Sequence, residues 1–426
     1  MIQKKFIQNL EKPEDSAANL GRKSVKKSVM LPMVKESPAA TLKRKSNRVL
    51  FILTNSFTND SRVLKEGRSL VNAGYGVTLA CLFKEGLPIK EVVHGIKVNR
   101  LRFYHNSKKT ANSVISKFIS FFYYARFSYR ICSRFCASTD IVHCHDIDTL
   151  PIGVILKIWS FGRIKIIYDA HEYETEVGFS VVGFKKLVYK IVETICIKFA
   201  GAVITVSDGI AKEYVRLYKI TKPTVLFNTP LLKEPQKLDI FRKELGIKKD
   251  KQIFLYQGGF MENRGIEIII AAFKKLVNTN KVVVFMGYGE LEVYIKDAAM
   301  KFANIYFYPA VSPDVLPDYT ASADIGIALI ENSCLSYYYC LPNKLFEYTM
   351  AKIPTIVSDL FELRKFIETN KNGIVLEQIT EEHLVKLIQN IGAEDLQRMK
   401  VAADVARQKY HWAIQEEKLL QLYKTT

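Results

Sequence analysis

A strand, a loop, a helix and a second strand follow one another over residues 48–82. The run RVLFILT (48–54) predicts a buried strand, residues 61–73 predict a helix, and GVTLACL (76–82) predicts a second strand. Two strands joined through a helix pair in parallel, with a right-handed crossover. This order indicates an open, doubly wound α/β sheet. The loop of this unit has no G-x-G-x-x-G pattern, so we expect the nucleotide site elsewhere.

The strongest indication of a ligand-binding site is a short helix that leads into a buried strand. Asn343 is predicted to cap a helix that begins at Lys344 and ends before the run TIV (355–357). The first turn of a helix presents unpaired N–H groups and a positive dipole, which suit a diphosphate, and Lys344 adds a full positive charge. Glu347, one turn further on, could accept two hydrogen bonds from a ribose diol. The alternative is a capped core helix whose Glu347 only complements the dipole.

Two glycine-rich loops in the same half also follow predicted strands and precede predicted helices. The loop 257–265 contains two adjacent glycines, which let the backbone approach a ligand, and Arg264, whose forked cation suits phosphate oxygens. The loop GYGE (287–290) ends the next strand. Plain turns are the alternative, but three such elements along one sheet edge favour a nucleotide site. The predicted donor-binding residues are Gly258, Gly259, Gly287, Gly289, Glu290, Asn343 and Leu345.

Two predicted strands of the first half also end in polar residues, His145 with Asp146 in one case and His171 in the other. Open α/β sheets bind ligands at this edge, so His171 could orient a phosphate or bond a sugar, with a satisfied buried imidazole as the alternative. Asp146 and Asp148 together could hold a divalent metal that carries a nucleotide diphosphate. Two carboxylates are too few for a specific site, so we expect neither a metal nor a cofactor.

Positive charge is concentrated in the first half of the 426-residue chain. Residues 1–230 hold 37 Lys and Arg against 18 Asp and Glu, or +19, whereas residues 231–426 hold 25 of each. A one-sided basic surface binds a polyanion, either nucleic acid or an anionic membrane. Residues 1–46 predict a mostly disordered basic extension that tethers the protein by charge, with an inert tail as the alternative.

An aromatic-rich amphipathic helix is predicted between residues 107 and 137. Seven aromatic residues between 118 and 129 are interleaved with Lys117, Arg126, Arg130 and Arg134. Rings that enter the headgroup layer beside cations that meet lipid phosphate are typical of an interfacial helix. The alternative is that the rings face the domain core and the cations face water.

Cysteine usage and hydropathy indicate the compartment. No run of eighteen uncharged apolar residues occurs, and the N-terminus carries charges where a signal peptide needs an apolar core. The seven cysteines show no C-x-x-C spacing and are expected to be reduced. We therefore expect a cytoplasmic protein, peripheral on the inner face of the cell membrane.

These motifs together resemble the retaining glycosyltransferases of family 4, over about residues 48–424. The resemblance implies the GT-B fold, in which two Rossmann-like domains face each other across a cleft. It implies an acceptor domain at 47–229, a nucleotide-sugar domain at 230–405 and a last helix, 406–426, that packs back toward the first domain. The segments that carry it are DSRV (60–63), VHCHD (142–146), YDAHE (168–172), VITVS (203–207), QGG to RG (257–265), GYGE (287–290), PNKLFEY (342–348) and the helix from Trp412 to Tyr423.

The resemblance also implies roles for single residues. Glu347 would bind the ribose, Arg264 and Lys344 the diphosphate, and His171 would lie beside the transferred sugar; these four are the predicted catalytic residues. The predicted acceptor-side residues are Asp60, Arg62, His145 and Asp146.

Three positions depart from the family pattern. Gly259 stands where an Arg is common, Arg264 where a Lys is common, and Tyr339 where a Glu is common. One diphosphate cation and one sugar-contacting carboxylate are therefore missing, which changes how the donor sugar is held.

The predicted activity is metal-independent, hexosyltransferase-like transfer of a sugar, with retention, from a nucleoside diphosphate sugar. The predicted acceptor is a saccharide presented at the membrane on a lipid, for surface polysaccharide or glycoconjugate synthesis. The alternatives are a catalytically silent GT-B module that binds sugar nucleotide or scaffolds an assembly, and a sugar-nucleotide epimerase. A nucleic-acid binder would explain the charge alone, and we expect no nucleic-acid partner.

Overall fold

The computed structural model describes residues 47–58, 60–102, 114–178, 182–236 and 238–426, with the backbone alone at 114–121. The basic extension predicted at 1–46 lies outside these residues. The predictions for the aromatic helix lie outside them up to residue 113.

The N-terminal domain is built on an eight-stranded sheet. Neighbouring strands are parallel, apart from β3 and β4, and their order is β3-β4-β2-β1-β5-β6-β7-β8. The β1-helix-β2 unit expected from the first strand pair is present, with β1 paired in parallel with β2. The strands are β1 Arg48–Ile52, β2 Gly76–Leu82, β3 Lys90–Val93, β4 Ile96–Leu101, β5 Ile141–His145, β6 Lys165–Ala170, β7 Ala202–Thr205 and β8 Thr224–Val225.

Among the described residues before 230, five α-helices pack on the two faces of this sheet. Two begin at side-chain caps: Asp60 accepts a hydrogen bond from the Val63 N–H, and Ser207 accepts one from the Ile210 N–H. These caps explain why the helices start where the chain leaves β1 and β7. The helices are α1 Ser61–Asn72, α2 Val114–Phe135, α3 Leu150–Trp159, α4 Gly183–Cys196 and α5 Asp208–Tyr218.

The C-terminal domain repeats the architecture with a six-stranded parallel sheet in the order β11-β10-β9-β12-β13-β14. Its strands are buried runs of branched and aromatic residues, as parallel strands covered on both faces require. The strands are β9 Gln252–Gly259, β10 Lys281–Tyr288, β11 Ile305–Pro309, β12 Ile325–Ala328, β13 Thr355–Ser358 and β14 Gly373–Leu376. The helices are α6 Ile240–Leu245, α7 Ile266–Lys275, α8 Glu292–Lys301, α9 Leu316–Thr320, α10 Leu335–Tyr338, α11 Asn343–Met350, α12 Phe361–Asn370, α13 Glu381–Asn390, α14 Ala393–Arg407 and α15 Trp412–Thr425.

The last helix, α15, returns to the N-terminal domain. The Trp412 indole N–H donates to the Ser69 hydroxyl at 2.9 Å, and Leu419 and Leu422 pack in the core beneath α1. The Tyr423 hydroxyl lies 2.8 Å from Nδ1 of His143, on β5. The chain terminus is thus part of the first domain's core.

The aromatic helix α2 divides its rings between core and solvent. Phe127 and Phe135 are buried, whereas Phe122 and Tyr129 are more than 60% exposed. Among the residues described, some rings therefore cover the sheet, as in the core-facing alternative, and others remain free to face a membrane. Among the described residues, no helix combines the length and apolar character needed to cross a membrane.

Candidate functional site

A cavity of about 580 Å³ lies where strand ends of the two domains face each other. Its N-terminal wall comes from the loop before α1 and from the end of β6. Its C-terminal wall comes from the two glycine-rich loops and the start of α11. The predicted site residues on these walls are Asp60, Arg62, His171, Gly258, Gly259, Arg264, Gly287, Asn343, Lys344 and Glu347.

Two glycines at the end of β10 stand where a side chain does not fit. A Cβ on Gly287 would lie 1.9 Å from the carbonyl oxygen of Gly258, and one on Gly289 would lie 2.5 Å from that of Phe260. Gly258 has a φ of +112°, in the region that favours glycine. The ends of β9 and β10 therefore meet closely, backbone against backbone, and leave main-chain groups beside the cavity.

Arg264 and Lys344 bring two cations to this wall. The Arg264 guanidinium lies 4.5 Å from the Tyr337 ring centroid, and Nζ of Lys344 lies 3.6 Å from that of Tyr256. Burial, reinforced by the charge of Arg264, lowers the pKa of Lys344 to about 7. The full positive charge predicted for Lys344 is therefore wrong for the free protein, where the amine is only partly protonated near neutral pH.

Helix α11 begins one residue earlier than predicted, and Asn343 does not cap it. Pro342 occupies the position before the first turn, without a side-chain cap. Oδ1 of Asn343 instead accepts a hydrogen bond from Nδ2 of Asn228, at 3.0 Å. The partner belongs to the other domain, so the amide joins the two walls instead of closing the helix end.

Glu347 is oriented by a short chain of hydrogen bonds. Nε2 of Gln257 donates to its Oε2 at 2.5 Å, and Oε1 of Gln257 accepts from the Thr320 hydroxyl at 2.9 Å. Burial raises the pKa of Glu347, although Gln257 and Lys344 stabilise the carboxylate and oppose the rise. Sequence reasoning assigned no role to Gln257, although it opens the QGG segment, or to Thr320, which stands in no recognised motif.

His171 lies against two carboxylates. Its Nε2 is 3.1 Å from Asp169 and its Nδ1 is 3.4 Å from Asp146. Burial lowers the pKa of His171, but Asp146 and Asp169 outweigh it and raise the pKa to about 10. The ring is thus an imidazolium that brings positive charge to the cavity, while both nitrogens face protein groups.

Arg62 lies mainly within the buried core of the N-terminal domain. It donates to both oxygens of Asp169, at 3.0 and 2.7 Å, and lies 3.1 Å from Glu66. His145 is fully buried and contacts Nε2 of His171 at 3.1 Å. Both residues were predicted on the acceptor side. They instead position His171, Arg62 through their shared partner Asp169 and His145 by direct contact.

Four buried side chains are close enough to bind a cation together. The ligand atoms of Glu66, His143, His145 and Asp169 lie within 4.8 Å of one another. Arg62 already places a positive charge against both carboxylates, and burial followed by the charge of Asp169 raises the pKa of Glu66 to about 8. Arg62 and the proton that Glu66 retains already offset the two carboxylates, so the four side chains do not fit a divalent ion.

The other predicted residues lie away from the cavity wall. Leu345 is fully buried in the C-terminal core, because it lies on the inner face of α11. Gly289 and Glu290 follow Tyr288, the last residue of their loop that lines the cavity. Asp146 contacts His171 but does not line the cavity itself. The carboxylate of Asp148 accepts from the Tyr189 hydroxyl at 2.8 Å, so Asp146 and Asp148 have different partners.

Glu172 is a cavity residue to which sequence reasoning assigned no role, although it stands in the YDAHE segment. The Ser336 hydroxyl lies 3.4 Å from its Oε2, and burial raises its pKa against the opposing charge of Arg264. Tyr339 is directed elsewhere: a Cβ on Gly209 would lie 2.3 Å from its ring. On this part of the wall the carboxylate comes from the N-terminal domain, while Tyr339 packs at the domain contact.

Two doubly wound domains with a cavity between their strand ends form the GT-B fold. Residues 61–229 match the model described as Glycosyltransferase Family 4, and residues 238–409 match that of Glycosyl transferases group 1. The two matches together span most of the chain, one in each domain. Each domain therefore matches a glycosyltransferase model, and the chain is a glycosyltransferase.

Known proteins agree with this assignment. An uncharacterized glycosyltransferase of Methanocaldococcus jannaschii is 25% identical over 250 residues, which span 55% of this chain and 61% of the relative. The sucrose-phosphate synthase of Thermosynechococcus elongatus superposes with a TM-score of 0.69 at 16% identity, over 89% of this chain and 98% of that one. Anabaena HepE, solved with UDP and glucose, superposes with a TM-score of 0.66 at 13% identity, over 89% of this chain and 100% of that one. The structural likenesses show the fold.

Proposed function

We propose that this protein transfers a sugar, with retention, from a nucleoside diphosphate sugar to a lipid-linked saccharide at the cytoplasmic membrane face. The observation that carries the proposal is the placement of Arg264 and Lys344 beside the start of α11, with Glu347 one turn further along the same wall. Two cations and unpaired helix N–H groups suit a diphosphate, and the carboxylate suits a ribose diol.

The chemistry requires a charge acceptor for the leaving group. The bond between the anomeric carbon and the diphosphate oxygen breaks, that carbon bonds to an acceptor hydroxyl oxygen, and the hydroxyl proton is released. The departing nucleoside diphosphate gains negative charge, which Arg264, Lys344 and backbone N–H groups can stabilise without a metal ion. We therefore propose metal-independent transfer without a cofactor.

The sugar would lie between this wall and the end of β6. The positive charge of His171 lies on that side, opposite the diphosphate cations, and Glu172 supplies a carboxylate for sugar hydroxyls. We propose that Glu172 takes the role that a Glu at position 339 has in relatives. The acceptor would enter past Asp60, on the N-terminal wall.

Substitution of Glu172 by Gln is expected to reduce kcat for the full donor by about tenfold or more, because a charged hydrogen-bond acceptor to the sugar is weakened. The affinity for the free nucleoside diphosphate should stay close to wild type, since that ligand lacks the sugar. Steady-state kinetics and calorimetry together measure the two effects. An equal loss of affinity for both ligands would place Glu172 at the diphosphate instead.

Donor binding is expected to consume a proton at Lys344. The free amine has a pKa of about 7, and a bound diphosphate raises it, so at pH 8 the amine enters neutral and becomes charged in the complex. Affinity should therefore fall as pH rises above 7, by at most about tenfold per pH unit. Calorimetry in buffers of different ionisation enthalpy measures the uptake, and Lys344→Met should abolish it. Equal uptake by the variant would assign the proton to another group.

The direct test of the function is release of nucleoside diphosphate from a panel of nucleotide sugars, with and without a lipid-linked saccharide acceptor and with EDTA present. Acceptor-dependent release is expected. Binding of a donor without any turnover would favour the catalytically silent module.

A further inference from the structure

Helix α4 presents its apolar side to solvent. Phe184, Leu187 and Ile191 keep 77%, 54% and 51% of their surface exposed, and Ile195 continues the same face one turn later. Residues at this spacing share one side of a helix. A helix on the surface of a soluble domain normally buries that side.

The opposite side of α4 buries a carboxylate. Glu193 is fully buried and accepts hydrogen bonds from the hydroxyls of Tyr168 at 2.6 Å, Tyr214 at 2.7 Å and Tyr218. A buried carboxylate is tolerated only when it is well hydrogen-bonded. Helix α4 therefore turns a hydrogen-bonded carboxylate toward the domain and its apolar residues toward solvent, the reverse of an ordinary surface helix.

Exposed apolar side chains continue onto the neighbouring helices. Nζ of Lys157, on α3, donates to the carbonyl of Phe199 just beyond α4, at 2.9 Å. Trp159 ends α3, half exposed, and its ring centroid lies 6.0 Å from that of Tyr129 on α2. Phe161 follows in a turn and is completely exposed. We call these residues of α2, α3 and α4 the apolar face.

Cations border the apolar face. The helices α2, α3 and α4 contain eight Lys and Arg and a single acidic residue, the buried Glu193. On α4, Lys186 and Lys190 share the single carboxylate of Glu176, at 2.6 and 2.9 Å, so the three groups together keep a positive charge. Such a surface complements lipid phosphates, whereas a second copy of it would bring like charges together.

We propose that the apolar face docks on a bilayer that contains anionic lipids, with α4 as the main inserted element. The inference rests on the proposed function for its biological purpose, because an acceptor carried on a lipid must meet the enzyme at the membrane. The Tyr189 hydroxyl of α4 bonds Asp148, two residues after the Asp146 that faces His171, so the docked helix is tied to a loop behind the cavity.

Co-sedimentation of the full chain with phosphatidylcholine vesicles, with and without phosphatidylglycerol, tests the docking. Wild type is expected to bind the anionic vesicles and to lose binding as salt rises. Phe184→Ser/Leu187→Ser/Ile191→Ser should bind about tenfold more weakly or worse, since the inserted apolar area is removed. Val401→Ser/Val405→Ser is the matched control, because these α14 side chains are 57% and 58% exposed in the other domain. The control should bind as wild type does.

Unchanged binding by the triple variant would overturn the proposal, as would a wild type that ignores anionic vesicles. A wild-type dimer that the triple variant abolishes, without vesicle binding, would assign the face to a second copy and overturn it too. Acceptor-dependent release of nucleoside diphosphate, measured with a detergent-dispersed acceptor and without vesicles, distinguishes a failure of docking from a failure of the proposed transfer. The triple variant should retain this release, and its absence from wild type while docking persists would contradict the proposed transfer alone.

Discussion

Replacement of Arg264 by Ala is expected to lower kcat for sugar transfer by about 10²–10³, the usual effect of removing one group that stabilises charge in a transition state. The guanidinium lies on the cavity wall over the Tyr337 ring, with Lys344 as the second cation nearby. Lys344 cannot replace the lost charge, because it is already charged in the donor complex and lies at its own position over the Tyr256 ring. The loss should therefore appear mainly in kcat.

Folding and specificity controls accompany this measurement. Arg264 is not part of the core, so the variant should melt close to wild type. Arg264→Lys should recover part of the rate, since it restores the charge without the forked geometry. Arg398→Ala removes an Arg whose side chain is 78% exposed on α14, and it should have wild-type kinetics. Wild-type turnover by Arg264→Ala would refute the assignment of the diphosphate to this wall.

Replacement of Arg62 by Met should destabilise the N-terminal domain by roughly 3–5 kcal/mol, the usual cost of leaving one buried partner of an ion pair alone. Asp169 is fully buried and, within the described part of the chain, would keep His171 as its one neighbouring cation. Arg62 also donates to the carbonyl of Leu226, at 2.8 Å, so a backbone acceptor loses its partner as well. Urea unfolding followed by a probe in the N-terminal domain measures the change.

An exposed ion pair provides the control for the buried pair of Arg62 and Asp169. Arg48 and Asp140 form an ion pair at 2.9 Å with side chains 47% and 35% exposed, so Arg48→Met should cost less than about 1 kcal/mol. In a double-mutant cycle, Asp169→Asn should be less harmful in the Arg62→Met background than in wild type, since the unpaired charge is removed. If Arg62→Met is no more costly than Arg48→Met, Arg62 does not hold the buried group together.

The alternation of strands and helices predicted the doubly wound sheet, and the family resemblance predicted the GT-B arrangement of two such domains. β1, α1 and β2 lie within two residues of their predicted limits, because their apolar periodicities are strong and their ends carry caps and glycines. The glycines and cations of the second half were predicted to share a sheet edge, and Gly258, Arg264, Lys344 and Glu347 do line one wall. Parallel strands place their carboxyl ends together, so these residues could be grouped from local patterns alone.

The features that were missed depend on contacts distant in sequence. The side chain of Asn343 bonds Asn228 from the other domain, which no capping rule includes. The lowered pKa of Lys344 arises from burial, which a sequence does not display. Helix α4 has the pattern of an ordinary amphipathic helix, and only the tyrosines around Glu193 reveal which side faces inward. Periodicity defines a face, whereas tertiary packing decides its direction.

A crystal structure of the protein soaked with a nucleoside diphosphate, in buffer that contains EDTA, tests the central claim most directly. The account predicts the diphosphate between Arg264, Lys344 and the first turn of α11, with both ribose hydroxyls on Glu347. A nucleotide bound to the N-terminal domain, or one that appears only when magnesium is added, would contradict it.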